Sequence, residues 1–304
     1  MEPRIETYNS KDFRNKYFNA SPELEILFNK CVEDFFCLRI EDVIDRVVKP
    51  ISPSREESHT VIFVTEGSYK TKIGFEEYTI EPGQIVIYQA GAVFSTPQIS
   101  KKVKGFTCHF HPDILIGKFG NHTLLTDFEF LNVGNHPIIR VSKKSNPAIL
   151  NLLERLCAEF KSDGRPNPTI VHSYLYTLLA ELQQLFGKND SIKHSAAFQL
   201  TSQFRKLAYQ RVKENLKVAD FAEIMNISPN HLNKAVKNIT SKSASAINDE
   251  IKLIEIKFLL YQSGLSIREI SYEMGYLDAS YFTRFFKKHT GVSPKEFREL
   301  IEKS

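Results

Sequence analysis

SIREISYEMGYLDASYFTRFFKKHTGVSPKEFR, residues 266–298, decides how the C-terminal part of this chain is built. Ser266 followed three residues on by Glu269 is a capping box: the hydroxyl and the carboxylate each satisfy a backbone N–H that the first helical turn leaves open. A helix therefore starts here. Ile267, Ile270, Ser271 and Met274 recur at helical spacing and give one apolar face, with a small residue where a second helix can come close. Gly275 ends that helix, because it takes a left-handed conformation without a Cβ penalty, and Asp278 is the N-cap of the next. In Ala279 to His289, Phe282, Phe285 and Phe286 point inward and leave Ser280, Thr283, Arg284, Lys287 and Lys288 outward. That face is polar and basic, and it has no acid. Two short helices across a tight glycine turn, the second presenting such a face, are the form that sets a recognition helix in the major groove. An ordinary helical hairpin with a solvated face is the bland alternative.

A second copy of the pattern counts against that alternative. In VADFAEIMNISPNHLNKAVKNIT, residues 218–240, Phe221, Ala222 and Met225 repeat the inward face, and Asn226 takes the turn position. Ser228-Pro229 is an N-cap followed by proline at the first helical position. Leu232, Ala235 and Val236 then face inward, leaving Asn230, His231, Asn233, Lys234 and Lys237 for a groove, again without an acid. Lys234 and Arg284 occupy matching places in the two copies. Between them Ala246 to Gln262 reads as a connecting helix that fixes the separation of two reading heads.

These residues resemble the AraC/XylS transcriptional regulators. Ile267, Ile270, Gly275, Tyr281-Phe282, Phe286-Lys287, Gly291, Ser293-Pro294 and Arg298 stand where that family carries its C-terminal pattern. The chain departs from it at Ser271, Tyr276, Phe297, Lys252 and Ile256. The resemblance covers roughly the last hundred residues by motif and the rest by architecture. It implies that Asn230, Asn233 and Lys234 in the first head, and Ala279, Ser280, Thr283 and Arg284 in the second, are base-reading positions. By the same resemblance, Lys237, Lys287 and Lys288 meet phosphates.

Charge supports the division. Of the whole chain's 40 Lys+Arg and 36 Asp+Glu, residues 199–304 hold 17 and 12, so the positive excess sits on the C-terminal part. That is the footprint of a nucleic-acid module joined to a domain with another task. The chain has 42% hydrophobic and 25% charged residues, an ordinary globular composition for 304 residues in two domains. No signal-peptide pattern and no membrane-length apolar run appears, so the bacterial cytoplasm, at the nucleoid, is the expected location. Cys31, Cys37, Cys108 and Cys157 have no C-x-x-C spacing and read as reduced, buried small residues.

From about His59 to Phe110 the period changes to two. His59 to Thr65, Ser68 to Ile73, Phe75 to Ile80, Gln84 to Gln89 and Val103 to Phe110 read as strands of a sandwich or small barrel, punctuated by Gly67, Gly74, Pro82-Gly83 and Gly91. The family resemblance implies a cupin-like barrel. His109-Phe110-His111, with Glu76 or Glu77, is the tempting metal site, but the spacing of a catalytic cupin is missing and a structural histidine pair is the preferred reading. No metal or cofactor is expected. Phe63, Tyr69, Tyr88, Phe94 and Phe106 are the candidates to line a small-ligand pocket, against the alternative that they are plain core.

Residues 21–49 look mixed. Asn146 to Lys161 and Thr169 to Phe186 read as helices; in the second, Ile170, Tyr174, Leu175, Leu178, Leu182 and Leu185 form either a face packed on the barrel or a homodimer seam. Gly187 to His194 reads as linker. The fold class is therefore α+β: an N-terminal all-β cupin-like barrel with flanking helices over 1–187, a linker over 188–198, and an all-α tandem helix-turn-helix domain over 199–304.

The reading that follows is a sequence-specific transcriptional regulator binding double-stranded promoter DNA and responding to a small organic effector. RNA polymerase is a further partner if it activates. The alternative within this class is a regulator without a ligand, controlled by abundance or by a protein partner. A cupin enzyme is disfavoured by the missing triad, and no G-x-S-x-G, P-loop or dinucleotide fingerprint is present. A helical protein–protein adaptor would not need two acid-free faces.

Overall fold

The computed structural model describes residues 5–19, 35–47, 50–74, 76–99, 102–115, 128–132, 136–162, 165–186 and 196–302. Cys31, Phe75 and the linker residues Gly187 to His194 lie outside them. The described residues fall into two compact units, one of residues 5–114 and 128–186, the other of Leu115 and residues 196–302.

The first unit is built from β1 (Glu6–Tyr8), β2 (Phe36–Arg39), β3 (Ile51–Glu56), β4 (His59–Glu66), β5 (Tyr69–Ile73), β6 (Glu76–Ile80), β7 (Gln84–Tyr88), β8 (Val93–Ile99), β9 (Lys104–Phe110) and β10 (Ile138–Arg140). They form two five-stranded sheets, in the orders β1-β3-β8-β5-β6 and β10-β7-β4-β9-β2. All pairings are antiparallel except β1 with β3. Ile51, Tyr69, Ile80 and Phe94 of one sheet share a single buried core with Val64, Val86 and Tyr88 of the other, so the sheets face each other. Phe13 and Tyr17 join that core from α1 (Ser10–Tyr17), and Ile40 does so from α2 (Ile40–Val43). Asn9 caps α1 by accepting from the Asp12 N–H at 2.8 Å.

The strands expected over 59–110 are present, each with one end shifted by one residue. Periodicity alone did not reveal β1, β2, β3, β8 and β10. β1 and β10 have three residues each, too few to show a period, and β3 carries Ser52, Pro53, Ser54 and Arg55 where an alternating apolar pattern would be sought.

On the outer face of the second sheet lies α3 (Asn146–Lys161), followed by α4 (Pro168–Phe186). Cys37 and Cys108 are cross-strand partners in β2 and β9, and the Cys37 Sγ lies 3.3 Å from the Cys157 Sγ of α3. All three are free and buried, and burial pushes the Cys37 thiol well above its usual range, so it is an inert apolar contact rather than a nucleophile. In α4, Leu175, Leu178, Leu182 and Leu185 are buried within this unit. The leucine stripe is thus the packed face, and it is not free to serve as a seam between copies.

The second unit is all helical: α5 (Ala196–Gln210), α6 (Val218–Ile224), α7 (Pro229–Thr240), α8 (Ala244–Gln262), α9 (Ile267–Glu273), α10 (Ala279–Thr290) and α11 (Pro294–Glu302). α5 starts at Ala196, inside the stretch assigned to the linker. α8 starts at Ala244 rather than Ala246, because Ser243 caps it by accepting from the Ala246 N–H. One core joins Phe204, Phe221, Leu232, Ile251, Ile270 and Phe286 across these helices. Ile256 of α8 is fully buried in the same core. Among the described residues, no helix is long and apolar enough to cross a membrane.

Candidate nucleic-acid interface and barrel cavity

Both reading heads close as their capping residues dictate. Ser266 accepts from the Glu269 N–H and Glu269 accepts from the Ser266 N–H, completing the box that opens α9. Asp278 caps α10 by accepting from the Ser280 N–H at 2.8 Å, and that bond holds its carboxyl below the usual range. Ser228 caps α7 by accepting from the His231 N–H. At the turns, Gly275 has φ +71° and Asn226 φ +53°, the left-handed conformation expected of both. A Cβ on Gly275 would lie 2.5 Å from the Lys213 carbonyl oxygen, so the second turn also needs glycine for close approach.

That approach ties the heads together independently of α8. Lys213 pairs with Glu273 at 2.6 Å, and Asn215 Nδ2 donates to the Gly275 carbonyl at 3.4 Å. Lys252, on α8 and nearly buried, donates to Asn215 Oδ1 at 2.7 Å and to the Leu216 carbonyl at 3.2 Å; burial lowers its ammonium pKa. The sequence marked Lys252 only as a departure from a family pattern. Its role depends on the Asn215 loop, which no motif announces.

On α7, Asn230, His231, Lys234 and Lys237 are exposed, whereas Leu232, Ala235 and Val236 are buried. Asn233 is half-buried, and its Oδ1 accepts from the Ala244 N–H at 3.0 Å, which anchors the start of α8. Its amide N–H groups remain for a base edge. On α10, Ser280, Arg284, Lys287 and Lys288 are exposed, and Ala279 and Thr283 are half-buried. The Thr283 hydroxyl donates to the Ala279 carbonyl at 2.9 Å, so its proton is already committed. Neither helix contains an acidic residue, and the only carboxylate at either N-terminus, Asp278, is committed to its cap.

The first unit holds a partly open cavity of ≈ 130 Å³ between its two sheets, with α1 against it. A void of about 150 Å³ accepts a benzene ring, so the space suits a small organic molecule. Tyr69, Tyr88 and Phe94 line it as expected. Phe63 and Phe106 do not. They are direct cross-strand partners in β4 and β9, and strand alternation turns them to the face opposite Thr60, Ile62, Thr107 and His109, which line the space. Phe13, Arg14 and Phe18 line it from the N-terminal segment.

His109 is buried, with Nδ1 2.8 Å from Thr60 Oγ1 and Nε2 2.9 Å from Ser10 Oγ. Desolvation, reinforced by Arg14, pushes its pKa down to about 3. The ring is neutral at physiological pH, so its 3.5 Å approach to Glu56 is not an ion pair there. His111 is half-exposed, and its Nδ1 accepts from the Asp113 N–H. The two histidines thus have separate polar partners, and no metal-competent cluster occurs among the described residues.

Tandem helix-turn-helix heads in one unit and a cavity-bearing β domain in the other define a two-domain DNA-binding regulator. Comparison with known proteins gives the family. Residues 51–179 match the AraC-like ligand binding domain and residues 221–300 a helix-turn-helix domain. The Msm operon regulatory protein of Streptococcus mutans is 29% identical over 137 residues, 45% of this chain and 49% of that protein. This match spans about half of that relative's length. The Lactose operon transcription activator of Staphylococcus xylosus is 26% identical over 77% of this chain and 81% of its own length. The Arabinose operon regulatory protein of Escherichia coli is 22% identical over 74% and 75%. Among solved structures, the C-terminal domain of AraT from Geobacillus stearothermophilus is 28% identical, covering 35% of this chain and 88% of that one with a TM-score of 0.33. The chain belongs to the AraC-type transcriptional regulators.

Proposed function

We propose that this protein is a promoter-binding regulator whose DNA affinity or transcriptional output is set by a small organic molecule held in the cavity of its N-terminal domain. The observation that carries the DNA half is the pair of acid-free exposed faces on α7 and α10, held on one buried frame. Two such heads fit successive major-groove segments, roughly 10 base pairs apart. Asn230, Asn233, Lys234, Ala279, Ser280, Thr283 and Arg284 read bases, Lys237, Lys287 and Lys288 lie along the backbone, and His231 is a further groove-facing residue of the first head. The ligand half is supported by the apolar cavity, with Tyr69, Tyr88 and Phe94 as the sequence-chosen contacts among its walls.

On this reading residues 1–187 sense and the module from 199 onward binds DNA in the cytoplasm, with RNA polymerase contacted if it activates. A homodimer would use surfaces other than the leucines of α4. Two of the relatives are regulators of lactose and arabinose operons by name, and the protein is read as a regulator, not a catalyst. Gel-shift titration over salt tests the DNA half. Neutralising several phosphates predicts a steep linear fall of log affinity with log salt. No binding to any duplex at low salt would leave a helical adaptor instead.

A further inference from the structure

The turns of the two heads differ by one residue, and that residue is Leu277. Met225 and Met274 end α6 and α9 alike, Asn226 and Gly275 follow in left-handed conformation, and the next N–H bonds back to the carbonyl five residues earlier in each case. Ile227 does so to Ala222 at 2.9 Å and Tyr276 to Ser271 at 3.0 Å. In the first head Ser228 then caps α7 at once. In the second, Leu277 intervenes before the cap Asp278, and it projects as a single inserted side chain.

Leu277 is 98% exposed, more than any other large hydrophobic among the described residues. A local explanation for an apolar residue just before an N-cap exists, since it commonly packs on the fourth residue of the helix. Here that residue is Phe282, which is fully buried, and Leu277 stands clear of it. Nothing in the fold uses its apolar surface. Tyr281, four positions on, is 57% exposed, and its ring lies 5.9 Å from that of Tyr276. Leu277 and Tyr281 thus flank the leading end of α10, alongside Ser280 and Arg284.

We propose that Leu277 determines part of the sequence preference of the second head by packing on the C5-methyl group of a thymine in the major groove. The inference rests on the DNA-binding reading above. The N-terminal end of a recognition helix is the part that meets base edges, and thymine's methyl is the apolar feature those edges display. Leucine has no donor or acceptor, so it distinguishes bases only by apolar contact, and against a phosphate it would only strip water from a charge. Continuity with the Ser280 and Arg284 face makes DNA the occupant rather than a protein.

The test needs only the full chain and a duplex selected by it from random sequence. Each thymine in the half-site of the second head is replaced singly by deoxyuridine, which removes the C5-methyl and leaves the hydrogen-bonding edge intact. Wild type should lose about fourfold in affinity at one or two positions, as expected for one apolar carbon group of ~0.8 kcal/mol. Leu277→Ala should bind the unmodified duplex more weakly and be indifferent to uridine at those positions. Its melting temperature should be unchanged, because the side chain touches nothing in the fold. Three results would overturn the proposal: a uridine penalty that persists in Leu277→Ala, no penalty in wild type, or a selected half-site without thymine. Unchanged DNA binding by Leu277→Ala with altered promoter output would also overturn it and identify a protein contact instead. Failure to select any duplex would remove the DNA-binding reading itself, a result distinguishable from all of these.

Discussion

At the scale of single residues, what separates base readers from phosphate anchors is the geometry of their donors. Arg284 presents a planar fork that matches the O6 and N7 acceptors of guanine, whereas Lys287, one turn further along α10, is a mobile point charge. Arg284→Ala should therefore cost about 1–3 kcal/mol on a cognate duplex and far less on random DNA. Lys287→Ala should weaken both alike and reduce the salt slope by about one unit. Equal losses for Arg284→Ala on both duplexes would move Arg284 to the backbone class. In the other unit, His109 makes a prediction about pH. Its pKa is about 3 in the fold and roughly 6.5 in an unfolded chain, so between those values only the unfolded state takes up the proton. Stability from this residue is complete above about pH 6.5 and falls as the solution is acidified, by up to about 1.4 kcal/mol per pH unit. Between pH 7 and 5, wild type should lose on the order of 2 kcal/mol more than His109→Asn in urea unfolding. Parallel pH profiles would mean that the ring is charged in the fold.

At the scale of elements, the second turn is the tightest constraint in the helical unit, because Gly275 meets a handedness requirement and a steric one at once. Gly275→Ala should cost at least the roughly 1–2 kcal/mol of a left-handed non-glycine residue, and more as the Lys213 carbonyl is forced away. Asn226→Gly in the first turn should be near neutral. A small melting-temperature change for Gly275→Ala would show that the Lys213 to Leu216 loop yields freely and does not brace the heads. These elements were legible in the sequence because their signals are local: Ser266 and Glu269, Ser228 and Pro229, Gly275 and Asp278 lie within a few residues of the partners they serve. The brace from Asn215 to Gly275 and Lys252 was not legible, since it joins residues far apart in the chain through atoms that follow no spacing rule. The cavity was half legible for a related reason. Aromatic composition picks out Phe63 and Phe106 as readily as Tyr69 and Phe94. Only strand parity, fixed once β4 is paired with β9, tells the inner face from the face that packs under α3.

At the scale of the whole molecule, the tandem heads and the cavity belong to separate compact units, so a ligand in one can influence the other only by a difference in free energy between states of the chain. A molecule that binds two states equally shifts nothing, however tightly it binds. If an effector does change DNA affinity by some factor, thermodynamic linkage requires DNA to change the effector's affinity by the same factor, typically 5- to 150-fold. A thermal-shift screen of the full chain identifies candidates, since a molecule that enters the ≈ 130 Å³ space stabilises the folded protein. Each hit should then alter the DNA dissociation constant, in either direction. The hit's own dissociation constant, measured with and without saturating cognate duplex, should change by the identical factor. Unequal factors would show that the two measurements report different sites. Hits that stabilise the chain yet leave DNA affinity, assembly state and promoter output unchanged would remove the sensor role from the N-terminal domain. The remaining regulator would be governed by its abundance or by a protein partner.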